Sequence, residues 1–568
     1  MVRKKLLCMV IAGTLLVSGL SFAGCSNSCD SVNDTENTTS EDTTKDTADD
    51  GDLSKQDESG ESEALQPATD PSWAENAVFY QLFVRSFYDS DNDGIGDFNG
   101  VAKKVDYLKE LGVDAVWLMP IMEAESYHGY DITDYRKVEP DYGTMEDFQN
   151  MLNVLHENGI RVILDLVVNH TSRECEWFKE AINDENSKYR DYYFIYTQRP
   201  ESTSGITYKK DLGIYYYANY SATMPDLDYS NTQVREEIKD ITGYWLDMGI
   251  DGFRLDGAKE IDVNPEITHD WWKEFTTYVS QKSPGAFVVG ESWIPNTKRL
   301  AEYYSDMNSS FNFWFEYVVE QSLKDGKKTD FVAGLNEAKQ MYQEAANADE
   351  SVNKYPIDST MIGNHDFYRF ASRVDGDIAK IKMGAALLLT LPGTPFIYYG
   401  DELGQLGIGG DQYKREGFDW NKSAAGEGVI DLYTATGGAK VRFMLPDDGI
   451  SYEEESADDN SVFSYYKKLI SIRKDNKIMF TGDYKTRGYK GDLYAYTISG
   501  EGVGDKLLVV HNMGDGAASF SVKCAGENLM DNTSYNATDE CSLSEYETFI
   551  FKYTADEMPV DENEFILE

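Results

Sequence analysis

Eight short apolar segments, separated by stretches with helical periodicity, place the strongest constraint on how this chain can fold. Each segment is apolar over most of its length rather than alternating, which predicts a strand buried on both faces. Helix patterns lie between them, as at 101–111 and 145–158. Eight strand–helix units predict an α/β fold, a closed parallel TIM (β/α)8 barrel with its chemistry at the carboxyl ends of the strands. The predicted strands are 77–84, 114–120, 161–168, 252–256, 287–291, 311–315, 360–363 and 396–399.

Two regions depart from this alternation. After the third strand, a connection from Asn169 to about Ser230 is rich in Tyr, Asn and Asp, and a connection of that length is usually a functional insertion. After Lys474 the chain turns to short alternating strands, such as 492–497 and 506–510, which predict a small antiparallel β domain. We therefore expect a barrel over 71–169 and 231–478, an inserted domain B over 170–230, and a C-terminal β domain over 479–568.

The first 25 residues have the pattern of an export signal. Three basic residues, Arg3, Lys4 and Lys5, precede a short apolar run, and small residues stand directly before Cys25. This resembles a bacterial lipoprotein signal over 1–25, with Cys25 as the lipidated residue. The alternatives are an ordinary cleaved signal and an uncleaved anchor, and all three readings export the protein. We expect it outside the cell, held to the membrane by lipid.

The next segment predicts a tether rather than a folded domain. Residues 30–63 contain 13 Asp or Glu, 2 Lys and no aromatic residue, so they cannot bury enough apolar surface to offset the entropy of ordering. Like charges along such a segment repel and extend it. We therefore interpret 26–70 as a disordered acidic tether.

Charge and cysteine content narrow the classes of partner. The net charge of −48 repels phosphate backbones, which argues against a nucleic-acid partner. Of the six cysteines, none has metal-ligand spacing. Cys524 and Cys541 lie in one small C-terminal region, and the sequence leaves open whether they pair. The oligomeric state is not determined by the sequence.

An Arg-x-Asp pair at the end of the fourth strand points to chemistry. The guanidinium of Arg254 keeps its proton, so it holds the carboxylate of Asp256 ionised at neutral pH. A fixed, ionised carboxylate is a suitable nucleophile for a glycosidic carbon. Glu291 follows 35 positions later at the end of the next strand, where a protonated carboxyl can act as the acid.

Four motifs at predicted strand ends then identify a family. They are Asp165-Leu166-Val167-Val168-Asn169-His170, Gly252 to Lys259, Gly290-Glu291-Ser292-Trp293 and Gly363-Asn364-His365-Asp366. In this order they resemble the α-amylase family of retaining glycoside hydrolases (family 13), and the resemblance covers about 72–556. The stretch Met224-Pro225-Asp226-Leu227-Asp228 is similar to a signature intermediate between the oligo-glucosidase and neopullulanase branches.

The resemblance implies a role for each motif residue. It makes Asp256 the nucleophile, Glu291 the general acid and base, and Asp366 the stabiliser of the transition state. Tyr130 would stack on the reacting sugar, and Asp131 would bind a terminal sugar hydroxyl or instead make a loop-stabilising contact. The further substrate-binding candidates are His170, Arg254, Lys259, His365 and Arg369. Most of the 39 Tyr, 26 Phe and 9 Trp are expected in the core, with a minority lining a sugar-binding groove.

The loop after the first strand predicts a calcium site. Alternate carboxylates in a loop bent by glycine offer hard oxygen ligands for Ca²⁺. Gly100 stands where an EF-hand needs Glu, so the loop is not an EF-hand. Similar loops in oligo-glucosidase-like members bind Ca²⁺, and the alternative is a solvated acidic turn. The implied ligands are Asp89, Asp91, Asp93, Ile95 and Asp97.

Residues next to the nucleophile bear on linkage. Family members specific for α-1,6 bonds usually carry Val directly after the nucleophile, and this chain has Gly257. Lys259 is typical of members that cut α-1,4 bonds, whereas Glu260 replaces a frequent His. We expect a surface-anchored α-amylase acting on α-1,4 bonds of starch-like α-glucan. The alternatives are an α-glucosidase or neopullulanase-like enzyme, possibly a glucanotransferase, acting on malto-oligosaccharides, and, more remotely, a non-catalytic binding scaffold.

Overall fold

The computed structural model describes residues 65–201, 206–209, 212–348, 355–502 and 504–566. The strands in chain order are β1 (Phe79–Leu82), β2 (Ala115–Leu118), β3 (Met122–Ala124), β4 (Ile132–Val138), β5 (Arg161–Leu166), β6 (Ile195–Tyr196), β7 (Ile206–Lys209), β8 (Ile214–Tyr217), β9 (Gly252–Leu255), β10 (Phe287–Gly290), β11 (Ser309–Phe311), β12 (Ile357–Met361), β13 (Thr394–Tyr398), β14 (Asp483–Lys490), β15 (Leu493–Ser499), β16 (Lys506–Asn512), β17 (Ala518–Ser521), β18 (Gly526–Asn528), β19 (Thr533–Tyr535), β20 (Glu540–Leu543) and β21 (Thr548–Tyr553).

The α-helices lie mainly between the barrel strands. In chain order they are α1 (Phe98–Lys103), α2 (Val105–Leu111), α3 (Met145–Glu157), α4 (Glu176–Asn183), α5 (Thr232–Asp247), α6 (Pro265–Lys282), α7 (Thr297–Leu300), α8 (Phe313–Asp325), α9 (Phe331–Asn347), α10 (Phe370–Arg373), α11 (Ile378–Thr390), α12 (Asp411–Lys414), α13 (Leu432–Thr436), α14 (Tyr452–Glu455), α15 (Val462–Asp475) and α16 (Ile478–Thr481).

Eight parallel strands close into a barrel, which confirms the predicted fold class. Their order around the barrel is β1-β13-β12-β11-β10-β9-β5-β2. The interior is filled with large rings, and those of Phe79 and Phe396 stack with centroids 4.3 Å apart. Helices cover the outside, so the strands are buried on both faces and most of them are apolar over most of their length, whereas β11 and β12 contain buried Ser and Thr. The carboxyl ends of all eight strands therefore open at one end of the barrel.

The sixth barrel strand differs from its prediction. The sequence suggested a strand at 311–315, whereas β11 ends at Phe311 and helix α8 begins at Phe313. Asn312 causes the change, because its side chain accepts a hydrogen bond from the backbone N–H of Phe315 and so caps the helix. The run on both sides is apolar, and periodicity alone does not separate a buried strand from a buried helix over such a short length.

The long connection after the third barrel strand contains its own structure. It holds helix α4 and a three-stranded antiparallel sheet of order β6-β8-β7. Backbone bridges between His170 and Asp226 and between Tyr193 and Leu227 tie the two ends of this segment together. The segment therefore stands over the carboxyl end of the barrel, on the side of β5.

The C-terminal region is antiparallel, as predicted. A six-stranded sheet of order β14-β15-β16-β21-β18-β19 lies beside a two-stranded sheet of β17 and β20. The Tyr496 hydroxyl donates to Thr390 Oγ1 at 2.7 Å and so joins this region to barrel helix α11. Cys524 and Cys541 are both buried free thiols, so the pairing left open by the sequence is not formed.

The export signal, Cys25 and most of the acidic tether fall at residues 1–64, outside the residues that the structure describes. Within the described residues, we find no helix that combines the length and the apolar character needed to cross a membrane.

Candidate active site

Two carboxyl groups emerge side by side at the open end of the barrel. Asp256 directly follows β9 and Glu291 directly follows β10, and these two strands pair in parallel. The backbone N–H of Glu291 donates to the carbonyl of Leu255 at 2.9 Å, which fixes the register at the strand ends. Separation along the sequence thus becomes adjacency in space, because neighbouring parallel strands end at the same edge.

The guanidinium of Arg254 lies at the centre of the site and is fully buried. Its Nη1 atom donates to Asp256 Oδ1 at 2.7 Å and to Asp165 Oδ1 at 2.8 Å. Its Nη2 atom lies 2.8 Å from Glu291 Oε1, out of line for a hydrogen bond, so that contact is electrostatic. One guanidinium therefore spans both carboxyls, which is compatible with the separation of about 5 Å that direct attack on a sugar needs.

The guanidinium of Arg254 contacts three carboxyl groups, and its single positive charge does not neutralise all of them. Burial, together with the negative charges of Asp256 and Asp366, raises the pKa of Glu291 to about 8 against the opposing effect of Arg254. Burial also raises the pKa of Asp165 to about 7. Glu291 is thus neutral at pH 7 and able to donate a proton, as a general acid must.

A chain of hydrogen bonds holds Tyr130 in place. Gln81 Nε2 lies 2.7 Å from His365 Nδ1, and His365 Nε2 lies 2.6 Å from the Tyr130 hydroxyl. That hydroxyl donates in turn to Asp165 Oδ2 at 3.1 Å. Donation by Gln81 leaves the ring proton of His365 on Nε2. Burial and nearby cations lower the pKa of His365 well below its ordinary value, so this imidazole is neutral.

His170 and Asp131 both lie beside Tyr130 but differ in their surroundings. His170 lines the cleft, and its Nε2 atom donates to the Tyr130 carbonyl at 2.9 Å. The carboxylate of Asp131 is buried and accepts hydrogen bonds from Ser126, one from the backbone N–H at 3.0 Å and one from the hydroxyl. The structure thus places Asp131 in a loop-stabilising contact, the second of the two roles considered from the sequence.

Asp366 lies across the cleft and is held by a residue that the sequence analysis missed. Arg415 Nη2 donates to Asp366 Oδ1 at 3.0 Å, and Lys414 Nζ donates to the Asp366 carbonyl at 2.7 Å. Both basic residues stand in the long connection after the last barrel strand, 49 residues from Asp366 in the case of Arg415. Apart from the two adjacent basic residues themselves, the local sequence did not link this connection to Asp366.

Arg369 and Lys259, two further sequence candidates, lie in different places. Lys259 lines the cleft, with its ammonium 3.5 Å from Glu260 Oε1. Arg369 is buried beneath the cleft, where its guanidinium packs against the rings of Tyr398 and Tyr399 and donates to the Tyr399 carbonyl at 2.6 Å. The structure thus places Arg369 in the scaffold, whereas Arg415 lines the cleft.

The cleft between these groups is open and has a volume of about 570 Å³. Tyr220 comes from the inserted segment and Trp293 from the loop after β10, and both expose a large part of their rings. Trp293 has a left-handed backbone (φ 44°) and stacks on Phe313 with centroids 4.9 Å apart. The remaining lining residues are His128, Tyr130, His170, Ser221, Met224, Asp256, Gly257, Lys259, Glu260, Glu291, His365, Asp366, Asp411, Lys414 and Arg415.

The acidic loop after β1 gathers three of its carboxylates. Oxygen atoms of Asp89, Asp91 and Asp97 lie within 4.8 Å of one another. Asp97 also caps helix α1 by accepting from the backbone N–H of Gly100. Asp93 accepts instead from the N–H of Ile95 at 2.8 Å, so its carboxylate makes a local turn outside this group of three.

Several known proteins are similar to this chain in sequence and structure. Residues 81–482 match the family model described as "Alpha amylase, catalytic domain". "Alpha-amylase 3" of Dictyoglomus thermophilum is 41% identical over 442 residues, covering 78% of this chain and 85% of that protein. An oligo-1,6-glucosidase of Parageobacillus thermoglucosidasius is 31% identical over 549 residues, covering 84% and 95%. The crystal structure of an α-amylase from H. orenii superposes with a TM-score of 0.72 at 34% identity, covering 84% and 99%.

Proposed function

Because this chain belongs to the α-amylase family of glycoside hydrolases, we propose that it hydrolyses α-1,4-glucosidic bonds of starch-like glucans with retention of configuration. The observation that carries the proposal is the single buried guanidinium of Arg254 in contact with both Asp256 and Glu291. Burial, together with the negative charges of Asp256 and Asp366, raises the pKa of Glu291 to about 8, so this carboxyl is protonated at neutral pH. A proton donor thus stands beside the carboxyl that we propose as the nucleophile.

The proposed reaction has two steps. Asp256 attacks the anomeric carbon and forms a glycosyl ester, while Glu291 gives its proton to the departing glycosidic oxygen. Glu291, now ionised, takes a proton from water, which attacks the same carbon and releases Asp256. Asp366, fixed by Arg415, is placed to hold sugar hydroxyls as positive charge develops on the ring.

The surroundings of Gly257 support α-1,4 action. Gly257 has a left-handed backbone (φ 52°), and a Cβ atom there would come within 2.3 Å of the Tyr220 hydroxyl. A β-branched residue, typical of α-1,6-specific relatives, would therefore strain the backbone and displace Tyr220. Gly257 is also kept in place by its N–H, which donates to Glu291 Oε2 at 3.2 Å.

Asp131 favours an amylase over the α-glucosidase alternative. Binding of a terminal sugar hydroxyl needs a carboxylate exposed in the cleft, whereas Asp131 is 2% exposed, does not line the cleft and accepts hydrogen bonds from Ser126. We therefore propose that the cleft accepts internal segments of a chain. Product analysis on amylose, maltotriose, pullulan and isomaltose tests this. We expect early loss of iodine staining from amylose without action on isomaltose. Glucose as the sole early product would favour the glucosidase, and conversion of maltotriose into products longer than itself would favour a glucanotransferase.

We also propose that the loop containing Asp89, Asp91 and Asp97 binds Ca²⁺. The donor set fits the ion, because carboxylate oxygens are the ligands that Ca²⁺ prefers and three of them converge. Without a cation, three carboxylates at this distance repel one another. The loop connects β1 to α1 and none of its three carboxylates lines the cleft, so the ion would stabilise the fold rather than enter the reaction.

Removal of Ca²⁺ is expected to lower the melting temperature. An ion that binds only the folded state stabilises it by about 3 kcal/mol at a hundredfold excess over its Kd, which corresponds to at least a few degrees. Differential scanning calorimetry with and without excess chelator measures the shift. Asp91→Asn should reduce the shift, whereas Asp106→Asn, an exposed acid outside the loop, should not. No shift, with no metal found by elemental analysis, would contradict the calcium proposal.

We propose further that the enzyme is anchored outside the cell by lipid on Cys25. The basic start, the short apolar run and the small residues before Cys25 support this, together with the acidic segment that follows. One acyl chain binds a membrane only marginally, so stable anchoring needs the two or three chains of a lipoprotein.

Cys25→Ser is expected to release active enzyme into the medium or to stall processing, because no lipid can be attached. Cell fractionation and N-terminal sequencing of the mature protein measure this, with Cys29→Ser as the matched control. The anchor proposal would be wrong if the wild-type protein were found soluble with a mature N-terminus other than Cys25.

A further inference from the structure

A row of tyrosines crosses the small sheet of the inserted segment. Tyr215 on the central strand β8 is the direct cross-strand partner of Tyr196 on one side and of Tyr208 on the other. Direct partners project from the same face of a sheet, so the three rings form one row. The rings of Tyr208 and Tyr215 lie 4.6 Å apart with an interplanar angle of 31°. We call Tyr196, Tyr215 and Tyr208 the tyrosine row.

This row lies on the outer face of the sheet. Strand β8 alternates between buried and half-buried residues, with Ile214 and Tyr216 directed inward. Tyr216 packs against Phe178 of helix α4, with ring centroids 4.9 Å apart. The opposite face carries the tyrosine row, and Tyr208 leaves 51% of its surface exposed. The inner face therefore packs against the rest of the fold, whereas Tyr208 on the outer face is exposed and Tyr196 and Tyr215 are half-buried.

Two more aromatic residues extend the row toward the catalytic cleft. Phe194 stands just before β6, two positions from Tyr196, and Tyr217 stands two positions from Tyr215 on β8. The rings of Phe194 and Tyr217 meet edge to face, with centroids 5.9 Å apart. Together the five rings form a partly exposed aromatic surface on three strands. Exposed aromatic surfaces of this kind mark binding sites for ligands or other molecules more often than they serve the fold.

The surface is continuous with the cleft on the side of Lys259 and Glu260. Strand β8 ends at Tyr217, and three residues later Tyr220 lines the cleft. Asn219, between them, places its side-chain amide 3.5 Å from Glu260 Oε2. A chain that leaves the cleft past Glu260 would therefore meet Tyr217 and then the tyrosine row.

The charge around this surface selects the kind of ligand. Burial raises the pKa of the Tyr217 hydroxyl. The negative charges of three nearby acids raise it further: Asp226, Glu260 and Asp262. Anionic polymers are repelled by such surroundings, whereas a neutral polyhydroxyl chain is not. The C–H face of a sugar ring packs against an aromatic face while its hydroxyls remain in water.

We propose that the tyrosine row is an accessory binding platform for α-glucan, which holds the part of the polymer that leaves the cleft past Lys259 and Glu260. This rests on the proposed function for the identity of the polymer. The platform adds contacts only for chains that are long enough to reach from the cleft to Tyr208. Its contribution should therefore appear with polymers and not with trisaccharides.

The test compares long and short substrates. In the double variant Tyr196→Ala/Tyr208→Ala, we expect KM for amylopectin to rise by about fivefold or more, since two rings that would stack on the polymer are removed. The value of kcat/KM for maltotriose should stay within about twofold of the wild type. The matched control Tyr208→Phe keeps the ring and should keep the wild-type KM for amylopectin. Equal changes for both substrates, or no change for either, would overturn the platform.

A second measurement separates this proposal from the proposed function. In native gels that contain amylopectin, the inactive Asp256→Asn variant should be retarded, and its combination with Tyr196→Ala/Tyr208→Ala should be retarded less. Gels that contain dextran are the control for linkage. If the wild-type protein cut no α-1,4 bond, the proposed function would fail while the gels would still report on the platform. If light scattering instead showed that the tyrosine substitutions only dissociate a dimer, the surface would be a self-association site and the platform proposal would be wrong.

Discussion

Replacing Asp256 with Asn is expected to lower kcat on maltopentaose by about four orders of magnitude or more. The amide has nearly the shape of the carboxylate but cannot attack the anomeric carbon, so the glycosyl ester does not form. Arg254 keeps its contacts with Asp165 and Glu291, and the melting temperature should change by no more than a few degrees. Steady-state kinetics and calorimetry on the purified variant measure both quantities.

Asp411→Asn is the matched control for that loss. Asp411 lines the same cleft but lies 2.8 Å from Lys414 and 3.8 Å from Arg415, and it makes no contact with Arg254 among the ion pairs of the described residues. We expect its variant to retain activity within about tenfold of the wild type, because it stands outside the group that reacts. Near-normal turnover by the Asp256 variant would show that another residue is the nucleophile.

Replacing Glu291 with Gln is expected to give a loss that depends on the leaving group. On malto-oligosaccharides kcat should fall by about three orders of magnitude or more, because the departing oxygen needs a proton that Gln cannot give. With α-maltosyl fluoride the first step should be much less affected, since fluoride leaves without that proton. The second step still lacks its base, so the glycosyl ester should accumulate on Asp256. Mass spectrometry of the trapped protein and of its peptides detects it.

Glu260→Gln provides the matched control, because Glu260 lines the same cleft and undergoes the same chemical change. Its variant should hydrolyse malto-oligosaccharides without accumulating the ester. An equal loss on the fluoride and on malto-oligosaccharides, with no ester found, would show that Glu291 is not the acid.

The pH profile gives an independent check on Glu291. Its pKa is raised to about 8, chiefly by burial and further by the negative charges of Asp256 and Asp366. A group that must be protonated to act loses function as the pH rises through its pKa. We therefore expect kcat/KM to fall above about pH 8, and we expect the Glu291→Gln variant to lack this alkaline limb.

Local sequence was sufficient where the signal is local. Most buried parallel strands here are apolar, so they were visible as short apolar runs, with errors at 311–315 and at 360–363, where β12 begins at Ile357. At 311–315 the cap by Asn312 decided between strand and helix, and periodicity carried no information on that choice. The motif residues Asp256 and Glu291 were found because each directly follows a strand, and parallel strands end at one edge.

Contacts between distant loops could not be found in this way. Arg415 binds Asp366 across 49 residues, and its connection after the last strand has no periodic pattern that fixes its path. Arg369, which the sequence analysis named as a substrate-binding candidate, stands three residues from Asp366 but lies beneath the cleft. The sequence around Asp131 left two roles open for its carboxylate. Ser126 decides between them, because its hydrogen bonds hold that carboxylate in the loop.

The sequence by itself predicted the barrel and placed Asp256 and Glu291 directly after two of its strands, because strand burial and strand ends are written in adjacent residues. Only the tertiary structure decided the pKa of Glu291, which burial raises to about 8. It brings Asp165, Asp256 and Glu291 around one guanidinium, although Asp165 and Arg254 stand 89 residues apart. It also turns the tyrosines of three separate strands into one row. Protonation and surface shape depend on distances through space, and those are set by packing rather than by order along the chain.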